Sequence, residues 1–455
     1  LNRSNKYRKG FVKQGRFFTV VLFLSAIFAL FGTEKAAAEA VSYDRYTPAL
    51  RKAETVPAGK NAANQLLVYP LELLKWPVDQ GLLFTEKHRL DRKTKWFLDK
   101  LDEYGISPNA NIMFPHGAGG GGNVDFMRML SLKTRFPDAI AEGWIEYNHH
   151  IVFDVGGKIG LDRIRDTGFR TYGLFDYQKR SEEHFFGIGP HTSRGDGYVY
   201  KMENTTLGYA FGYSPKPDLG ADFKLKYQKV NIYGGQDGSM GQIRTGIFTE
   251  NNVPGLRGDE ILSLGPEINY DTRNAKDNST RGGEHRLAFN YNKGFDHSNG
   301  AMYFKYEAEI SRYLRLWSDR RILVLHLYGE TNSQLPGYYV PFHQMPKLGG
   351  MGEFPRLGHT LRGYEFNRFT DNSALLYNME YRYNIWKYRE FKVDTTVFWD
   401  LGQVFRKVSE FQFGNFRSNY GLGFRFNMAN VSIMTIQTAF GEEGMQYYVE
   451  SKTPF

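Results

Sequence analysis

The sequence predicts an all-β transmembrane barrel of about 16 antiparallel strands, with a short N-terminal helical segment on the periplasmic side. Three observations carry that prediction. Aromatic residues make up 16% of the 455 residues, with 36 Phe and 30 Tyr, and Gly reaches 49, yet mean hydropathy is polar at −0.50. Beyond position 33 there is no apolar run of the roughly 20 residues that a membrane-spanning helix needs. From Gly105 onward the apolar period is two.

The alternation is clearest in Leu375, Tyr377, Met379, Tyr381 and Tyr383, set against Asn378, Glu380 and Arg382. It recurs in Phe223, Leu225 and Tyr227 against Lys224, Lys226 and Gln228, and in Leu287, Phe289 and Tyr291 against Arg286, Asn290 and Asn292. Phe304, Tyr306, Ala308 and Ile310 alternate with Lys305, Glu307 and Glu309. An Arg or Lys facing lipid at mid-membrane costs about 2–4 kcal/mol, so the charged face is the lumen. Segments of this kind fall near 106–115, 121–132, 138–148, 150–162, 168–179, 197–213, 218–232, 259–272, 284–294, 300–313, 320–331, 372–385, 390–404, 417–428, 431–440 and 445–455. An even count without capping helices favours closure, because a closed barrel leaves no exposed edge.

Residues 1–40 read as a cleaved signal peptide. Arg3, Lys6, Arg8, Lys9, Lys13 and Arg16 precede an apolar run from Phe17 to Gly32, and Ala36, Ala38 and Ala40 suit a peptidase site. Residues 41–105 form a periplasmic segment with Pro57, Pro70 and Pro77. Within it, Leu90, Thr94, Phe97 and Leu101 have helical spacing over roughly Thr85 to Leu101. Residues 106–455 are the barrel. The precursor is +9, but the leader holds 7 Lys/Arg and 2 Asp/Glu, which leaves 51 basic and 47 acidic residues, a net +4. That balance gives no case for nucleic acid as a partner. With no Cys, disulfides and thiolate metal sites are excluded.

In the last segment Met445, Tyr447, Val449 and the terminal Phe455 share one parity, and a terminal aromatic of this kind is what outer-membrane assembly machinery reads. Tyr447, Val449 and Phe455 are therefore the expected C-terminal assembly signal.

One connection stands apart. About forty residues separate the strand ending near Tyr328 from the one starting near Asn372, and a loop of that length is usually functional or disordered. It contains Leu348-Gly349-Gly350, Leu361-Arg362-Gly363-Tyr364 and Arg368-Phe369. A guanidinium brought into a confined lumen needs a carboxylate. Asp400, which shares strand parity with Asp394 and Thr396, and Glu380, on the polar face of its segment, are candidates.

With Asn378-Met379-Glu380-Tyr381-Arg382, Asp400-Leu401-Gly402-Gln403-Val404-Phe405, Tyr270-Asp271-Thr272-Arg273 followed by Thr280-Arg281-Gly282, Phe185-Phe186-Gly187-Ile188-Gly189, and Thr453-Pro454-Phe455, this loop resembles the BamA/TamA superfamily of outer-membrane proteins, of the bacterial surface-antigen type. The match extends over roughly 65–455. The resemblance implies that an Arg-Gly-Tyr loop folds back into the barrel and that Arg362 pairs with Glu380 or Asp400. It implies a loop lock formed by Arg362, Gly363, Tyr364, Glu380 and Asp400. No periplasmic POTRA module is visible in residues 41–105, so the chain reads as a short member.

No catalytic constellation emerges. Gly117 to Gly122 has glycine-loop spacing but lacks the helix and Lys-Ser/Thr of a phosphate loop. His149 and His150 point to opposite faces of a strand, and His184 and His191 flank a loop. The expectation is a non-enzymatic barrel without cofactor or metal, in the bacterial outer membrane. The resemblance implies translocation or insertion of protein or lipid, through a weak seam between first and last strands. The alternatives are a passive or gated channel tuned by Lys224, Lys226, Glu307 and Glu309, and a structural or surface-interaction barrel. Expected partners are outer-membrane lipid, the barrel-assembly machinery for the chain's own insertion, and a periplasmic partner chain or a second copy.

Overall fold

The structure is a computed structural model and describes residues 107–108, 126–131, 139–147, 152–164, 167–234, 248–249, 251–275, 278–295, 300–351, 360–388, 391–428 and 431–450. The leader, the helix over Thr85 to Leu101, Gly117 to Gly122, His149, His150 and Phe455 lie outside the described residues.

Sixteen strands form one sheet, each pairing antiparallel with its sequence neighbour. In chain order they are β1 (Ser107–Pro108), β2 (Phe126–Ser131), β3 (Ala139–Tyr147), β4 (Val152–Leu161), β5 (Phe169–Phe185), β6 (Tyr198–Lys216), β7 (Leu219–Gly234) and β8 (Gly258–Asp271). They continue as β9 (Gly282–Gly294), β10 (Met302–Arg315), β11 (Arg321–Gln334), β12 (Ser373–Tyr388), β13 (Phe391–Phe405), β14 (Arg417–Met428), β15 (Val431–Gly441) and β16 (Gly444–Glu450). A separate pair, Lys347–Leu348 with Phe369–Thr370, lies inside the connection from β11 to β12. Among the described residues no helix is long and apolar enough to cross a membrane.

The alternation of the sequence becomes the two faces of the wall. Phe223, Leu225, Leu207, Tyr209 and Leu287 stand on the outer face, each about half exposed, where lipid takes the place of solvent. On the inner face charges satisfy one another. Lys224 Nζ lies 2.6 Å from Glu267, Lys305 lies 2.8 Å from Glu330, and Arg286 bridges Glu307 and Glu309. An ion pair in a confined lumen resolves the desolvation that either charge alone would suffer.

Strand β5 runs past the expected end near 179 to Phe185. A bulge between Arg180 and Glu183 carries it through the charged run Lys179 to Glu183. That run broke the apolar alternation because the strand there has left the lipid-facing zone, and the ladder continues without it.

The two ends of the barrel differ. At one end β6 meets β7 across Lys216 and Leu219, β12 meets β13 across Tyr388 and Phe391, and β14 meets β15 across Met428 and Val431. At the other, the links from β7 to β8, β11 to β12 and β13 to β14 are long. Short turns face the periplasm and long loops the exterior in barrels of this kind. A hydrophobic cluster at the exterior end includes Phe185, Tyr200, Phe248, Leu256, Tyr303 and Phe342. Residues from three separate connections meet there, so the loops pack on one another and on the wall.

Candidate functional site

The connection from β11 to β12 is not structureless. After a 3-10 turn at Phe342–Gln344, the strand pair brings Lys347–Leu348 against Phe369–Thr370. Gly349 and Gly350 hold positive φ of 131° and 75°, which side-chain-bearing residues rarely adopt. Gly350 N–H donates to the carbonyls of Leu361 and Tyr364, both at 3.1 Å, and Leu361 N–H donates back to Gly350 at 3.0 Å. These bonds bend the chain so that Arg362 projects into the wall.

Arg362 is completely buried. Its Nε donates to Asp400 Oδ2 at 2.9 Å and its Nη2 to Asp400 Oδ1 at 2.7 Å, a bidentate fork. Its Nη1 donates to Glu380 Oε2 at 2.8 Å and to Gln437 Oε1 at 3.1 Å. The guanidinium carbon lies 3.4 Å from the centroid of the Phe398 ring. The Arg362 carbonyl accepts from Tyr448 Oη at 2.7 Å. One residue thereby touches β12, β13, β15 and β16.

The carboxylates are themselves supported. Asp400 also accepts from Asn378 and Asn419, each at 2.8 Å, and Asn378 Nδ2 reaches the Thr360 carbonyl at 2.8 Å. Glu380 accepts from Arg382 at 2.7 Å and from Arg425 at 3.4 Å. Register explains the gathering, because Asn378 pairs with Asp400 and Asp400 with Asn419 across β12, β13 and β14.

Gly363 serves by its missing side chain rather than by an unusual φ. A Cβ there would fall 2.4 Å from Asn419 Cβ and 3.0 Å from Gly441 Cα. Tyr364 is buried, its Oη donates to the Ser418 carbonyl at 3.3 Å, and its ring meets Phe369 edge-on at 5.2 Å. With Tyr328, Leu348, Leu361, Ala374, Leu376 and Val404 they make an apolar cluster between loop and wall. Gly402 gives Leu348 and Leu361 room, since a Cβ there would meet them at 3.0 and 3.3 Å.

Nearer the exterior, Arg368 donates to Thr192 Oγ1 at 2.8 Å and to the Thr192 carbonyl at 2.7 Å, and pairs with Glu443. Arg194 pairs with Glu365, and Asn367 Nδ2 reaches Glu183 at 3.1 Å. The loop is thus tied to the β5–β6 connection and to the β15–β16 turn.

The structure therefore brings Arg362, Gly363, Tyr364, Glu380 and Asp400 into one constellation. Tyr447 and Met445 stand exposed on the outer face of β16, and Val449 pairs with Ile436 on β15. His184 lies in β5, pairing with Val199 of β6, and His191 is exposed in the following connection. No group of three His, Cys, Asp or Glu side chains able to hold a metal occurs among the described residues. Sequence reasoning missed Gln437, Asn378, Asn419, Phe398 and Tyr448. Phe398 shares parity with Asp400, and an aromatic on a charged inner face was the available signal.

The Omp85 superfamily domain matches residues 163–440, more than half of the chain. The crystal structure of BamA from Haemophilus ducreyi lacking POTRA domains 1-3 is similar, with a TM-score of 0.56 at 14% identity, covering 77% of this chain and 70% of that one. CdiB from Escherichia coli gives a TM-score of 0.48 at 11% identity, covering 77% of this chain and 63% of that one. CdiB from Acinetobacter baumannii gives 0.48 at 10% identity, covering 77% and 60%. No curated protein sequence matches. At these identities the structural likeness speaks to fold alone, and the domain match speaks to family: the chain belongs to the Omp85 superfamily and is a β-barrel of the bacterial outer membrane.

Proposed function

We propose that this barrel translocates or inserts polypeptide or lipid at the outer membrane, with the β11–β12 loop as the lock that sets whether its wall is closed. The observation that supports this reading is the fully buried Arg362, bonded to four strands and stacked on Phe398. A static pore wall needs no such insertion from a long exterior loop. A device that must hold strands together reversibly does, because a buried charge network forms in only one register and is lost as a unit.

The strands nearest the chain's two ends suit a seam. The first expected strand, 106–115, is rich in Pro, Asn and Gly-flanked sequence, and such a strand forms a poor ladder that opens at low free energy. Tyr448 on β16 donates to the Arg362 carbonyl, so the lock grips the last strand directly. Hydrogen exchange checks this, since seam strands as protected as β6 would count against lateral opening.

On this reading the protein is not an enzyme, reaches the membrane through a cleaved leader and the assembly machinery, and works with outer-membrane lipid and a periplasmic partner chain or second copy. Quantitative proteomics of outer membranes from a deletion strain is the deciding experiment. Loss of a defined set of surface proteins supports translocation or insertion and names the clients. An unchanged protein and lipid profile, together with conductance by the purified barrel, would replace this reading with a gated channel.

A further inference from the structure

His326 extends the Arg362 network one strand further round the wall. It stands on the inner face of β11, 1% exposed, and pairs in register with Asn378. Asn378 pairs with Asp400 and Asp400 with Asn419, so these four side chains form one row across β11 to β14. His326 Nδ1 lies 2.9 Å from Asn378 Oδ1, and its Nε2 lies 3.3 Å from Glu309 Oε1 on β10.

The partners dictate which atoms carry hydrogen. Asn378 Nδ2 donates at 2.8 Å to the Thr360 carbonyl and at 2.8 Å to Asp400 Oδ1. A carbonyl has no hydrogen to give, and Asp400 takes both prongs of the Arg362 fork as a carboxylate. The amide nitrogen of Asn378 therefore faces the loop and Asp400, and its oxygen faces His326. Nδ1 must carry a hydrogen to meet that oxygen. On the other side, Glu309 accepts from Arg286 at 2.9 Å, so it too is a carboxylate and Nε2 must carry a hydrogen. Only the imidazolium donates from both ring nitrogens.

A neutral ring has one N–H. One tautomer turns a lone pair on Glu309, and the other turns it on the Asn378 oxygen. Flipping the Asn378 amide would instead set its oxygen against the Thr360 carbonyl and Asp400. Each arrangement leaves a buried polar atom unmatched and loosens Asn378, which holds Asp400 and the loop backbone at once. The charged groups around the ring are already matched. Arg286 on β9 takes Glu307 as well as Glu309, and Arg273 takes Glu284. Glu380 on β12 is taken by Arg362 and Arg382. Tyr313 and Tyr328 share this inner face, and phenols ordinarily ionise only at about pH 10. Of these residue types, histidine is the one that ordinarily changes charge between pH 5 and 8.

We propose that His326 is a positioning residue for the loop lock, acting as an imidazolium that fixes the Asn378 amide on Asp400 and on the Thr360 carbonyl. The docked loop then binds one proton more than the undocked loop, so docking weakens as pH rises and the proton leaves to solvent. This inference rests on the reading of the β11–β12 loop as a lock and not on what the barrel handles.

Thiol labelling of the purified full chain in detergent tests it. The maleimide rate at Thr360→Cys, buried when the loop is docked, is divided by the rate at Phe413→Cys, an exposed position, which removes the pH dependence of the thiol itself. The ratio is read at pH 6.5 and pH 8.5, above the range in which His343 of the same loop, held below its ordinary 6.5 by burial, takes up a proton. It should rise roughly tenfold or more with pH when His326 is present, and stay within about twofold in His326→Gln, whose amide does not titrate. No rise in the parent, or an equal rise in His326→Gln, overturns the proposal. Nitrogen-15 NMR of the histidine-labelled parent needs no variant: one ring with two slowly exchanging N–H groups at pH 7 is expected, and its absence overturns the proposal. An Arg362→Ala ratio equal to the parent's overturns the lock and this inference with it, whereas a ratio raised by Arg362→Ala but flat with pH in the parent overturns this inference alone.

Discussion

Replacing Arg362 by Ala removes the bidentate pair to Asp400, the pair to Glu380, the bond to Gln437 and the stack on Phe398. Breaking a buried ion pair from one side costs about 3–5 kcal/mol, chiefly because a buried charge is stranded. Here the stranding is partial. Asp400 keeps the Asn378 and Asn419 amides, and Glu380 keeps Arg382. The low end of the range applies, about 3 kcal/mol, which raises the undocked population roughly 150-fold at 1.36 kcal/mol per decade. The chain has no Cys, so Thr360→Cys introduces a single thiol at a position that is fully buried when the loop is docked. A hydrophilic maleimide added to intact cells then labels in proportion to the undocked population. The R362A background should label about two orders of magnitude faster than the Arg362 background. R362K should fall between them, because one ammonium cannot serve both carboxylates as the fork does. Labelling within threefold of the parent in R362A would show that the apolar cluster around Leu361 and Tyr364 holds the loop without the charge network, and would refute the lock.

Gly441→Ala should destabilise the barrel by about 1–3 kcal/mol, because its Cβ would lie 2.5 Å from the Gly363 carbonyl oxygen; a lower temperature for loss of gel-shifted folded barrel checks it. Burial holds the His343 imidazole below its ordinary 6.5, with Asp259 opposing in part. The unfolded chain then binds more protons, so the stability this neutral histidine permits is present above pH 6.5 and declines as pH falls below it. A urea midpoint that drops from pH 7.5 to 5, with a smaller drop in His343→Gln, is the expected result. Burial pushes the Asp371 carboxyl up to about 6 from 3.8. The folded state then binds more protons between those values, and stability falls as pH rises through them. Asp371→Asn should raise the unfolding free energy from urea titrations at pH 7, by at most about 3 kcal/mol, with the gain shrinking towards pH 4.

Most of the wall was readable because a transmembrane strand obeys a two-residue rule imposed by its surroundings. Phe223 and Leu225 cannot face the lumen, nor Lys224 the lipid, without a penalty larger than any local propensity. Sixteen expected segments therefore correspond one to one with β1–β16. The rule fails where the surroundings change. Above the membrane, β5 continues through Arg180 to Phe185, held by the ladder and by loop contacts at Glu183 and Phe185, and nothing in the hydropathy of Lys179 to Glu183 marks a strand. Bulges are likewise invisible. The shift between Asn384 and Trp386 changes the facing of every later residue of β12, and alternation read from Leu375 to Tyr383 gives no warning of it.

The site divides along the same line. Glu380 and Asp400 were legible because charge on an inner face demands a counter-charge, and Arg362 sat in the one connection long enough to return. Their supporting cast was not, because its logic is one of register. Asn378 supports Asp400 because β12 pairs with β13 in one register among several that hydropathy alone allows, and a slip of two residues would leave every face unchanged and the amide elsewhere. Gly363 and Gly441 abut although they lie on a loop and a strand far apart in sequence, and each glycine alone reads as a turn. Phe398 is the instructive case. Parity put it in the lumen, where hydropathy would not, and the two rules conflict until the guanidinium of Arg362 is laid on its face at 3.4 Å. An aromatic ring offers a buried cation a neutral partner that needs no desolvation of its own, so the residue that breaks the inner pattern marks where the loop must land.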